Sequence, residues 1–282
     1  MRRSPTINPT RAADGRQSSR KRLTPEEVNE KQLNELPIRF GGPLFSKLKR
    51  KYWELEHCRD LPFVIAIEAF HEEGSLGFSS HALGQYLYGL RGFPSWTESG
   101  QLVVDFKEIE KHELGTKVIP SNFFGQPDAA HVSAVLFSNS GTWSKFTRMG
   151  YLAGYHRGNV KMVRTGTSYN PDPNSGTPLS FSYDLDDPPW EEEWGQGLVL
   201  IHNPTARHPL PKGYFPAAVD EYLLNGKVVG DVPRTHVYGS LTGIVGAMAD
   251  GIFRSRRRVD ARVRSSAASV IGWSVIGPWG QL

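Results

Sequence analysis

Residues 41–70 read GGPLFSKLKRKYWELEHCRDLPFVIAIEAF, and the hydrophobic period changes once within them. Leu44, Leu48, Tyr52 and Leu55 recur at near-helical spacing while Lys47, Lys49, Arg50 and Lys51 crowd the other sides, which predicts a basic amphipathic helix. Pro43 suits its first turn. Residues 62–67 (PFVIAI) are too few for a typical helix and apolar on both faces. That pattern predicts a central strand of a covered sheet, ending on Glu68. Helix, short turn and buried strand make one arm of an α/β sandwich. The expected fold class is α/β, a mixed central sheet flanked by helices in one domain.

The remaining pattern is less regular. Thr24, Pro25 and Glu27 predict a capped helix start, with an end near Leu36-Pro37. A third helix is expected from Ser79 or Ser80 through Leu90, with Leu83, Leu87 and Leu90 inward and Gly84 weakening it. Strands are expected at residues 101–106, 131–137, 160–165, 179–183 and 197–201, and a short helix at 217–224. Residues 107–117 read as a charged segment, 169–177 as a Pro/Asn/Gly-rich loop and 184–193 as an acidic loop. Residues 1–23 are polar and basic and read as disordered. The α/β domain is expected over 24–238, with 239–282 a loosely ordered basic tail.

Composition narrows this picture. The single cysteine, Cys58, excludes an internal disulfide and a Cys-rich zinc site. No apolar run reaches the roughly 18 residues of a membrane span, so a cytoplasmic setting is expected. Residues 1–50 hold 12 Lys/Arg against 5 Asp/Glu, and residues 251–282 hold 6 against 1. The 200 residues between hold 15 against 23. Basic ends on an acidic body do not form one continuous nucleic-acid face, although the ends could contact phosphate non-specifically.

Several residues are candidates for chemistry. Glu68 ends the apolar strand and is followed by His71, Glu72 and Glu73, a set that could hold Mg²⁺ or simply line a solvated loop. Lys47 and Lys51 are one helical turn apart and could face a phosphate or form a wet face. Ser138, Asn139, Ser140, Gly141 and Thr142 could make a backbone nest for an anion, helped by Lys145 and Arg148, or an ordinary strand-to-helix turn. His202 and Asn203 follow the last confident strand, where they could bind a substrate or fix the turn before Pro204. No HExxH, GxSxG, Walker or GxGxxG pattern occurs.

Four segments, NELPIRFGGPLFSKLKRKYWEL, LPFVIAIEAF, HVSAVLFSNSGTWSKFTRMGY and LIHNPTARHPLP, resemble a group of uncharacterised bacterial proteins with a restriction-endonuclease-like, PD-(D/E)XK-type core. The resemblance covers roughly residues 29 to 238. It implies a Mg²⁺-dependent nuclease chemistry on nucleic acid, with Glu68, Lys51 and Lys47 as the matching catalytic candidates. The metal ligands of that superfamily sit on strands preceding the helix, where this chain has Met1-Arg-Arg-Ser. The chain is therefore expected to begin after the catalytic strands and to be defective as written. A non-catalytic binding or scaffold protein is the alternative. Asp105-Phe-Lys107 fits (D/E)xK formally but lies well after the place the pattern requires, and about one such triplet arises by chance.

Overall fold

A computed structural model describes residues 24–69, 75–138, 140–155 and 160–246. The chain enters through helix α1 (Pro25–Glu30), a π-helical segment (Lys31–Glu35) and helix α2 (Leu36–Lys49) without interruption. The expected capping box is present: Thr24 Oγ1 accepts from the Glu27 N–H and Glu27 returns the bond. The expected break at Leu36-Pro37 does not occur. Pro37 brings no N–H to the Leu33 carbonyl four residues back, and the ring of buried His112 donates to that carbonyl at 2.5 Å. The π turn makes room for this lateral partner. Helix α2 stops at Lys49, short of Leu55, because Lys51 takes a left-handed conformation with φ of 46°.

Strand β1 (Val64–Glu68) is followed by helix α3 (Ser75–Tyr88), which starts one turn earlier than expected. Two hairpins come next: β2 (Leu90–Trp96) with β3 (Leu102–Glu108), and β4 (Lys111–Leu114) with β5 (Lys117–Pro120). The second occupies the expected charged segment. His112 alternates inward there between exposed Lys111 and Glu113. Strand β6 (Ala134–Ser138), helix α4 (Trp143–Leu152), β7 (Val160–Ser168), β8 (Leu179–Asp184) and β9 (Leu198–His202) stand close to expectation.

Residues 217–224 are not a helix. Val219–Leu224 is strand β10, joined to β11 (Lys227–Asp231) by Asn225-Gly226, with φ of 52° and 74°. Two successive positive φ values are what a two-residue hairpin turn of matching twist requires. The segment expected to leave the domain at Tyr238 continues instead as β12 (Val237–Gly246), antiparallel to β7.

The main sheet has the order β1-β6-β9-β10-β11, with β1 parallel to β6 and β9 parallel to β10. This bears out an α/β class with a mixed sheet. Helices α2 and α3 bury Leu36, Phe40, Leu44, Leu48, Leu83 and Leu87 against Val135, Phe137 and Ile201 of the sheet. A separate sheet, β12-β7-β8, is antiparallel. Strand β1 is the correction that matters most. Its sequence predicts a central strand, yet among the described residues it is an edge.

Candidate functional site

Parallel pairing of β1 and β6 sets Glu68 opposite Ser138. The chain leaves β6 through Ser140 and Gly141 into α4, whose N-cap Thr142 accepts from the Lys145 N–H. The Gly141 backbone donates to the Glu68 carboxylate, and burial, opposed by that bond, holds the Glu68 pKa above its usual value. A Cβ at position 141 would stand 2.5 Å from Glu68 Oε1, so glycine is what allows the carboxylate to settle there.

Lys145 and Arg148 do not face this turn as free cations. Lys145 Nζ donates to the Trp194 and Gln196 carbonyls at 2.7 and 2.6 Å. Arg148 makes a two-pronged bond to Glu192 at 2.9 and 2.7 Å, and also donates to Thr242 Oγ1. Arg164 of β7 lies 3.4 Å from the same carboxylate and donates to Gln196 Oε1. All four charged side chains are buried. Burial brings the Lys145 pKa down to about 8, the effect of Glu192 opposing and those of Arg148 and Arg164 adding. This network fastens α4 and the 192–196 segment to β7 and β12. Ser140 Oγ joins it by donating to the Gln196 carbonyl. Asn139, His71, Glu72 and Glu73 lie outside the described residues.

The other predicted residues stand at the opposite end of β1 and β6. Lys47 Nζ lies 5.7 Å from the centre of the Tyr52 ring, and Tyr52 packs on Phe63, just before β1. Lys51 pairs with Glu54 at 3.5 Å. The five residues of β1 separate this end from Glu68 by roughly 13 Å. His202, opposite Ala134, bonds Asp220 at 2.6 Å, and Asp220 accepts the Gly213 N–H. Asn203 donates to the Ala129 and Val132 carbonyls and accepts from the Thr205 N–H. These two residues fix the loop between β9 and β10. Asp105 is exposed on β3, and Lys107 lies over the Phe93 ring.

A groove that the sequence reading missed runs along the free side of β1. Ile38, Arg39, Phe40 and Pro43 of α2, Ala66, Ile67 and Glu68 of β1, and Leu114 and Lys117 of the β4–β5 hairpin line it. It holds about 850 Å³ and is open to solvent. Glu68 is the carboxylate of this lining, and no group of three His, Cys, Asp or Glu side chains able to hold a metal occurs among the described residues. No described helix is long and apolar enough to cross a membrane. Comparison of the chain with family models, curated proteins and solved structures returns no match.

Proposed function

We propose that this domain is a non-catalytic binding module that takes up an extended polypeptide segment as an added strand beside β1. The observation that carries this reading is a conflict between sequence and position. Val64-Ile-Ala-Ile67 is apolar on both faces, the composition expected of a central strand, yet among the described residues it stands at the sheet edge. Natural edges are blunted by charges, proline or bulges, and none interrupts β1 before its last residue. Helix α2 packs beside that edge and feeds β1, the arrangement of a β-α-β unit whose first strand is supplied from elsewhere. The added strand would run parallel to β1, its backbone satisfied by the open ladder and its side chains alternating between the α2 face, beside Ile65 and Ile67, and the face that carries Ala66.

A synthetic peptide of residues 131–138 (HVSAVLFS), the strand that already pairs with β1 on its other side, is a direct probe. Binding to the chain and at least a tenfold loss on Ala66→Lys, with the fold retained, is the expected result. Equal binding to both proteins overturns the reading.

The nuclease-like reading is a second proposal, favoured by the same edge. In it the strand beside β1 would bring the metal-ligand carboxylates toward Glu68, and exposed Lys49, Arg50 and Lys51 would contact phosphate. Mg²⁺ would then activate the attacking water. Mg²⁺-dependent cleavage of DNA that is lost in Glu68→Gln would support it. Salt-sensitive binding of duplex DNA without cleavage would leave only its binding half.

A further inference from the structure

A second cavity lies at the opposite edge of the main sheet, remote from β1. It holds about 250 Å³ between Val103, Val104 and Phe106 of β3 and Val228 and Val229 of β11. Its walls are mainly apolar, with Asn225 and Lys227 as the polar members. An apolar cavity of roughly 150 Å³ is enough for benzene.

A smaller void of about 20 Å³ shares Val104, Phe106 and Val228 with it; its lining is mainly apolar, and His81 and Gln85 of α3 and Glu221 of β10 are its polar members. That volume admits a single water or a hydroxyl. Glu221 as a whole is half-buried, but its Oε1 is shut off from solvent and has no hydrogen-bond partner among the described residues. Its carboxyl is pressed against α3 at Gly84, where a Cβ would stand 2.5 Å from Oε1. The glycine that weakens the helix in the sequence is therefore the one that seats the acid.

The groups around this acid are set for a neutral guest. Burial brings the Glu221 pKa up to about 8, so the group carries its proton at neutral pH. Burial and nearby Arg91 bring the His81 pKa down to about 4, and the uncharged ring bonds Gln85 at 2.6 Å. From the end of α3, the Tyr88 hydroxyl donates to the Glu221 backbone carbonyl. Lys227 lies at the outer mouth. A protonated carboxyl that lines the void suits a partner that both donates and accepts, which a hydroxyl does. A cationic head would meet Arg91 and Lys227 and would have to ionise the acid.

We propose that the cavity between β3 and the β10–β11 hairpin binds a small neutral alcohol, with its apolar body against the valines and Phe106 and its hydroxyl on the part of the Glu221 carboxyl that lines the smaller void. The test uses benzyl alcohol, toluene and benzylamine as probes of the full chain, followed by the methyl resonances of Val103, Val228 and Val229. Benzyl alcohol should give saturable shifts and bind roughly five- to tenfold more tightly than toluene, the worth of one buried hydrogen bond. Glu221→Met, which keeps the shape and removes the polar oxygens, should erase that difference while leaving toluene unchanged. Val103→Trp should abolish both by filling the groove. Equal binding of toluene and benzyl alcohol to the unaltered chain overturns the proposal, as does the absence of saturable shifts. Preferential binding of benzylamine that strengthens as pH rises overturns it too, because Glu221 would then act as a counter-ion.

Discussion

The two edges of the main sheet are finished differently. Strand β11 begins on Lys227 and ends on Asp231, which bonds the Tyr222 hydroxyl at 3.1 Å and pairs with Lys212 at 3.3 Å. Strand β3 stands across a small apolar cavity from it. Strand β1 has no charge before Glu68 and opens on a groove of about 850 Å³. An edge ended by charges and faced by a hairpin leaves space only for a small molecule. One composed like a sheet centre, with a groove alongside, is shaped for another strand. The contrast separates two kinds of ligand by what surrounds a backbone edge, and neither assignment depends on the other.

The largest expected effect asks whether β1 truly belongs to the sheet. Ile65 is 4% exposed within the main core, and Ile65→Ala should cost about 2–4 kcal/mol in urea unfolding. A loss below about 1 kcal/mol would mean a loosely held strand and would break the comparison at its first step. The next effect sharpens the β11 side. The Glu221 pKa is raised from 4.5 to about 8, so the folded chain keeps a proton that the unfolded chain releases. Stability from this group is complete below about pH 4.5 and is lost as pH rises toward 8. Burial brings the pKa values of His81 and His236 down from 6.5 to about 4, so their losses fall on the acid side, between those values. The histidines and Lys145, whose folded pKa is about 8, contribute alike to both proteins, so the effect is read as a difference: between pH 6.5 and 8 the unaltered chain should lose stability relative to Glu221→Gln. The smallest effect is Asp231→Asn. It loosens an exposed ion pair and should change stability by less than about 1 kcal/mol, without giving the β11 edge any affinity for the HVSAVLFS peptide.

Much of the fold was legible from hydrophobic period and caps. Thr24 with Glu27, the VIAI run and the strands at β6 and β9 were all signalled locally, because each depends on its own residues. The errors have a different origin. Residues 219–224 (VDEYLL) carry a pattern that fits either element, and Asn225-Gly226 was the deciding signal for a hairpin. Pro37 reads locally as a stop because the partner of the Leu33 carbonyl, His112, lies 79 residues away in sequence. Lys145 and Arg148 read as anion ligands because nothing local announces that Glu192 and the Trp194 and Gln196 carbonyls meet them. The groove beside β1 was invisible for the same reason. Composition records how apolar a strand's surroundings are, whereas the missing neighbour is a property of topology.

The central claim is that the outer edge of β1 is an open ladder awaiting a strand. Amide hydrogen exchange across Val64–Glu68, with and without the HVSAVLFS peptide, tests it most directly. In the chain alone, the amides directed at β6 should exchange slowly and the alternate, outward amides fast. Saturating peptide should slow the outward set, and Ala66→Lys should prevent the change. Outward amides already protected without peptide, or equally fast with it, would contradict the account.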